Sequence, residues 1–333
     1  MLMNIELNET NLVPSKTSFE EKSFSELNIT ENQIEEFIRV NIGEILEDET
    51  LLMVGQQVRN LERGRNDLVA IDENGSLVLI EIKRDAEDMA RRSEPLEFQS
   101  IRYAASCATI KAPEELVELM FEKYITTHTK EIPEHHTQSS YALEQLITFL
   151  ESNNAVETFN QKQRIMLFAS SYDKQALSAF AWLINAGVDI TLYTITPYLK
   201  EEQLLVDIKR ILPLDNIEDY YVQLQRSTGT YKKSSTQRSP KTLPRMGKLM
   251  EWGIIKEKDK VQIKGKPNSA AIVHSEKEVK YNNEILTFNQ WGQKITGWNT
   301  INIYDWAELV KEDSAILLSE LRKQKMAELE GLK

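Results

Sequence analysis

The chain has 333 residues, 41% of them hydrophobic and 28% charged, with a formal net charge of −12. That balance is ordinary for a soluble protein of two domains or one large one, and no apolar run approaches the ~20 residues of a membrane span. One cysteine, Cys107, excludes an internal disulfide and makes a reducing cytoplasm the expected setting.

Residues 1–29 are polar and weakly periodic, a leader or an edge strand; nothing in them resembles a signal segment. Thr30 with Gln33 forms a capping-box pattern. It opens a helix whose stripe is Ile34, Phe37, Ile38, Ile42, Ile45 and Leu46. Leu51–Val58 reads as a strand. Next, Asp67–Asp72 and Ser76–Lys83 flank Glu73-Asn74-Gly75, a strong hairpin signal. Both runs are apolar at nearly every position, as strands covered on both faces are. Three charged groups, Asp67, Glu81 and Lys83, break that character, and buried charges need a partner or a metal.

The register decides whether these three meet. A three-residue loop with Gly75 left-handed sets Asp72 opposite Ser76 and Asp67 opposite Glu81, and Lys83 then shares the face of Glu81. A two-residue loop sets Asp67 opposite Ile82 and spoils the arrangement. Two carboxylates ~4.5–5.5 Å apart repel unless a cation lies between them, and hard oxygen donors suit Mg²⁺ or Mn²⁺. The plainer reading, a buried ion pair of Lys83 with one acid, leaves the second acid unexplained.

Arg84–Pro95 is a polar loop in which Arg91 and Arg92 either meet phosphates or form a solvated charge run. Leu96–Ala108 reads as a helix with Gln99 and Tyr103 on one face; Cys107, among small residues, reads as a packed thiol. Residues 113–160 are helical and polar. His128, His135 and His136 fall in a loop between these helices without metal-ligand spacing. A strand from Gln163, a helix over Asp173–Ala186 with Trp182 on its apolar face, and a strand from Val188 make a parallel crossover.

Asp67 followed at fourteen residues by Glu81-Ile82-Lys83 resembles the PD-(D/E)XK nuclease superfamily, with Asn66 where that family usually has proline. Gly64–Leu68 and Val78–Lys83 look like the branch of mismatch endonucleases, and Gln99-x-x-x-Tyr103 resembles an element of RecB-like relatives. The resemblance covers residues 30–215. It implies an α/β, restriction-endonuclease-like core: a mixed central sheet flanked by helices. It implies Mg²⁺ or Mn²⁺ held by Asp67, Glu81 and the Ile82 carbonyl, with Lys83 at the attacking water. Glu35, or alternatively Glu36, is the helix carboxylate that reaches the metal site. Gln56 or Gln57 is an accessory. Gln99 orients the lysine or the water, and Tyr103 contacts phosphate or buttresses its helix. Arg102 joins Tyr103, Arg91 and Arg92 as a DNA-contacting candidate.

Charge is uneven. Residues 1–222 carry 20 Lys+Arg against 39 Asp+Glu, and residues 223–333 carry 20 against 13. Residues 223–240 read as a basic linker and 241–333 as a small α+β domain. That domain has a helix to Trp252, strands near Val261, Ala271 and Val279, an Asn282-Asn283 turn and a charged helix over Ser314–Lys333. Trp252, Trp291, Trp298 and Trp306 are its expected core. Ala271–Val273, Glu278–Glu284 and Gly297-Trp298 resemble a domain associated with restriction enzymes and adenine methylases. Its positive charge fits phosphate contact.

Two functions follow as expectations: a metal-dependent DNA endonuclease for restriction or repair, which can be a homodimer, or a non-catalytic nucleic-acid-binding scaffold on the same fold. No phosphate-binding P-loop or serine-hydrolase elbow is present in the sequence.

Overall fold

A computed structural model describes residues 5–7, 12–14, 19–59, 65–85, 96–213, 243–311 and 314–331. The expected linker, 223–240, lies outside them. Short strands β1 (Ile5–Leu7) and β2 (Leu12–Pro14) pair with each other, and β3 (Glu20–Glu21) is an edge strand of the main sheet. Helix α1 (Glu31–Ile45) starts at the Thr30–Gln33 capping box and buries Ile34, Ile38 and Ile42. Phe37, expected in that stripe, is 39% exposed.

The core sheet is built from β4 (Leu51–Arg59), β5 (Arg65–Asp72), β6 (Leu77–Lys83), β7 (Gln163–Ala169), β8 (Asp189–Lys200) and β9 (Gln203–Leu212). Its order is β3-β8-β7-β6-β5-β4, with β9 alongside β8. β6, β7 and β8 run parallel; β4, β5 and β9 are antiparallel to their neighbours. The sheet is therefore mixed, and the hairpin occupies its middle, where Asn66–Asp72 and Leu77–Lys83 are buried at every position. This is why both runs are apolar at most positions.

Gly75 adopts φ +79°, Gly75 N donates to Asp72 O at 2.9 Å, and Asp72 N donates to Ser76 O at 3.0 Å. The longer loop is the one formed. Leu68 pairs with Ile80 and Ala70 with Val78, so Asp67 comes next in line towards Glu81.

Around the sheet lie α2 (Leu96–Cys107) and α3 (Pro113–Leu116), which continues through a π-turn at Val117–Phe121 into α4 (Glu122–His128). They are followed by α5 (Gln138–Ser152) and α6 (Lys174–Asn185). Trp182 departs from expectation: it is 61% exposed, while Phe180 and Ala181 are buried. At 100° per residue, Trp182 stands about 200° from Phe180, on the far side of the helix.

The remaining chain begins with α7 (Met246–Glu251) and the strands β10 (Lys260–Ile263), β11 (Ala271–Val273), β12 (Glu278–Tyr281) and β13 (Glu284–Thr287). It continues through α8 (Phe288–Thr296), α9 (Ile303–Trp306), β14 (Ala307–Lys311), β15 (Ser314–Leu317) and α10 (Leu318–Gly331). The strands form an antiparallel sheet in the order β13-β12-β11-β10-β14-β15. Ser314–Leu317, expected in the final helix, is instead its edge strand, because it pairs with β14.

Trp291 is fully buried and its indole N–H donates to Ser269 O at 2.9 Å. Trp298 instead packs edge-on against Phe149 of α5 at 5.1 Å, and Trp252 and Trp306 are half-buried. The tryptophans thus divide between the second sheet and its junction with the first.

That junction covers the edge of β4. Met53 N donates to Asn299 Oδ1 at 2.9 Å, and Thr300 Oγ1 lies 3.2 Å from Leu46 O and 3.0 Å from Glu49 O. Asn302 N donates to Thr50 Oγ1 at 3.0 Å. An exposed edge would invite strand pairing; this segment caps it. Among the described residues, no helix is long and apolar enough to cross a membrane.

Candidate active site

Asp67 ends up on β5 and Glu81 and Lys83 on β6, each 2–4% exposed. The Lys83 ammonium bonds Glu81 Oε1 and stands 3.7 Å from Asp67 Oδ2. Asp67 Oδ2 also accepts the Ile82 N–H at 2.8 Å. In an extended strand the N–H and C=O of one residue point to the same side, so the Ile82 carbonyl faces the β5 side too.

Gln99 of α2 donates to Glu81 Oε1 at 2.9 Å and to the Tyr103 hydroxyl at 3.0 Å, and that hydroxyl accepts Arg65 N–H at 2.9 Å. Tyr103 is 5% exposed. Its hydroxyl thus ties Gln99 to the start of β5. Arg102, on the same helix, is exposed. Arg91 and Arg92 lie outside the described residues.

Glu35 and Glu36 have opposite surroundings. Glu35 is 1% exposed, whereas Glu36 turns outward and pairs with Arg39 at 2.6 Å. Glu35 Oε1 accepts from Gln56 Nε2 at 2.7 Å and Oε2 accepts from Gln57 Nε2. On a regular strand, adjacent side chains point to opposite faces. Both glutamines reach one carboxylate because Gln57 adopts φ +54°, a left-handed backbone rare for a residue with a side chain and often found at functional sites. Burial pushes the Glu35 carboxyl above its ordinary value; the Gln56 bond opposes this, and the Asp67 charge adds to it.

His128 was expected in a loop but is the last residue of α4. Its Nε2 lies 2.7 Å from Gln56 Oε1, and its ring packs on Tyr124 at 4.5 Å. Since Gln56 donates through its nitrogen to Glu35, its oxygen faces His128, which must carry the proton on Nε2. A lone histidine separated from Gln56 by 72 residues gives no sequence signal. Asp85, also not foreseen, accepts the backbone N–H groups of Phe24 and Ser25 and ties the segment before α1 to the end of β6.

The donors available to a metal are the carboxylates of Asp67 and Glu81 and the Ile82 carbonyl, with Glu35 beside Asp67. They are hard oxygens, right in kind for Mg²⁺ or Mn²⁺. Among the described residues, no group of three or more His, Cys, Asp or Glu side chains is arranged as a metal cage. Two carboxylates suffice for Mg²⁺, which keeps several waters and takes its remaining ligands from substrate phosphate. Comparison with protein-family models, with curated proteins and with solved structures finds no match to this chain.

Proposed function

We propose that this chain is a divalent-metal-dependent DNA endonuclease with a restriction-endonuclease-like core of the PD-(D/E)XK kind. One observation carries the reading: an ammonium from Lys83 lies between two carboxylates from adjacent central strands, with every member buried. A buried ion pair needs only one acid, and the second adds a desolvation cost that a bound cation would offset.

Asp67 and Glu81 supply the ligands, and a bound Mg²⁺ or Mn²⁺ would polarise phosphate and acidify water. Lys83 positions the attacking water and offsets negative charge developing on phosphorus. Gln99 holds Glu81, Tyr103 holds Gln99, and the Ile82 N–H holds Asp67, so the acids are fixed before substrate arrives. The test is incubation of the purified protein with plasmid, single-stranded and branched DNA in Mg²⁺ or Mn²⁺. Cleavage that disappears in Asp67→Ala and Lys83→Ala supports the enzyme.

A non-catalytic DNA-binding scaffold is the second reading. It is favoured by the near-complete burial of the three charges, 2–5% for each side chain, behind an acidic body. DNA binding without cleavage under every metal condition supports it.

A further inference from the structure

Among the described residues, strand β9 has a partner on one side only. It pairs with β8 from Gln203–Lys200 to Leu212–Leu192, and among the described residues no strand pairs with its other edge. An open edge of this length is a template for another strand. At its far end Leu204 and Leu205 are 42% and 38% exposed. Lysine on an edge ordinarily keeps strands apart. Here Lys209 is bonded to Asp207 on the same strand, and both side chains lie on one face of the sheet.

We propose that β9 pairs antiparallel with β9 of a second copy, joining two central sheets across a twofold axis. The axis stands perpendicular to the sheet, so odd-numbered residues face odd-numbered residues and only registers with that parity are allowed. One of these sets Ile208 opposite the partner's Ile208. It alone brings Asp207 opposite the partner's Lys209, and by symmetry Lys209 opposite the partner's Asp207. Four charges then alternate around a square, each with opposite-sign neighbours along and across the strands. Val206 faces the partner's Arg210, whose aliphatic stem covers it. Beyond this segment the ladder with β8 is interrupted where Ile211 is left out, between Tyr193–Arg210 and Leu192–Leu212. Residues 206–210 are therefore the regular stretch that pairs. The inference uses none of the residues placed in the active site, so it stands or falls apart from the nuclease reading.

The full chain is examined by analytical ultracentrifugation at tens of micromolar, where twice 38.5 kDa is expected. Asp207→Lys should return the monomer, and adding Lys209→Asp to it should restore the dimer. In an antiparallel pair, directly opposed Cα atoms are about 4.5–5.5 Å apart, within disulfide reach. Ile208→Cys should therefore cross-link to its own copy under mild oxidation. Leu204→Cys, four residues from the axis and outside the paired stretch, should not; Cys107 is buried and silent. A monomeric wild type overturns the proposal, including one whose β9 amides are protected from exchange by another segment of the same chain. So does a dimer that survives Asp207→Lys, or one in which Ile208→Cys fails to cross-link.

Discussion

The backbone N–H of Ile82 donates to the carboxylate of Asp67 at 2.8 Å, so strand β6 holds an acid of strand β5 in place without help from Lys83. Lys83 is then left to neutralise both acids. Replacing it with methionine keeps the volume and strands two buried carboxylates. The expected loss is about 3–5 kcal/mol, as when one partner of a buried ion pair is removed. A divalent cation that binds only the folded form should recover part of that loss by mass action. Thermal melts of Lys83→Met with and without Mg²⁺ read both effects. A variant as stable as the wild type, or one indifferent to Mg²⁺, contradicts the assignment of the acids as ligands.

Glu35 and Glu36 are neighbours in the chain with opposite surroundings. Glu35 is clamped by two amides beside Asp67, while Glu36 pairs with Arg39 at the surface. Glu35→Gln should lower metal-dependent cleavage by on the order of 10²-fold, the effect of losing a positioned acid–base or ligand group. Glu36→Gln removes an exposed ion pair and should leave the rate within about threefold of wild type, a change below ~1 kcal/mol. Initial rates on one DNA substrate separate the two. Equal losses would mean that burial does not identify the functional carboxylate.

What the sequence reveals here is what depends on near neighbours. Asn74-Gly75 between two apolar runs marks the hairpin, while the loop length that brings Asp67 towards Glu81 is one of two the sequence leaves open; Thr30 with Gln33 specifies where α1 begins. The amide clamp on Glu35 is different. It requires Gln57 to leave the regular strand backbone, which no local pattern announces. His128 acts on Gln56 across 72 residues of chain. β9 carries apolar residues at both even and odd positions, so it shows no period-two alternation, and Ser314–Leu317 is a strand only because β14 lies beside it. Trp182 shows the reverse case, a large apolar residue whose composition argues for the core and whose helical angle places it in solvent.

Gly75 tests the link between turn and site. It adopts φ +79°, and a Cβ built there would lie 2.9 Å from Ala155 O. Gly75→Ala therefore combines backbone strain with a clash and should cost about 1–3 kcal/mol. Urea denaturation at neutral pH measures it. A stability equal to wild type would show that the turn relaxes without strain and does not hold the register.

Glu73, in the same turn, is half-buried, and Thr50 N lies 3.3 Å from its Oε2. Burial raises its carboxyl from 4.5 to about 7, and the nearby charges of Asp72 and Glu49 push the same way. Between those two values the folded state keeps a proton that the unfolded state has released. Stability therefore falls as pH rises through this window and levels off above about 7. Glu73→Gln removes the penalty. It should be neutral in acid and should stabilise the protein above neutrality by on the order of 2 kcal/mol, less than the full linkage value because the side chain keeps some solvent. Urea denaturation of both proteins at acidic and at mildly alkaline pH gives the difference directly, and taking it between proteins cancels the other titrating groups. A gain of the same size at both pH values would show that packing, and not the proton, distinguishes glutamine from glutamate in this turn.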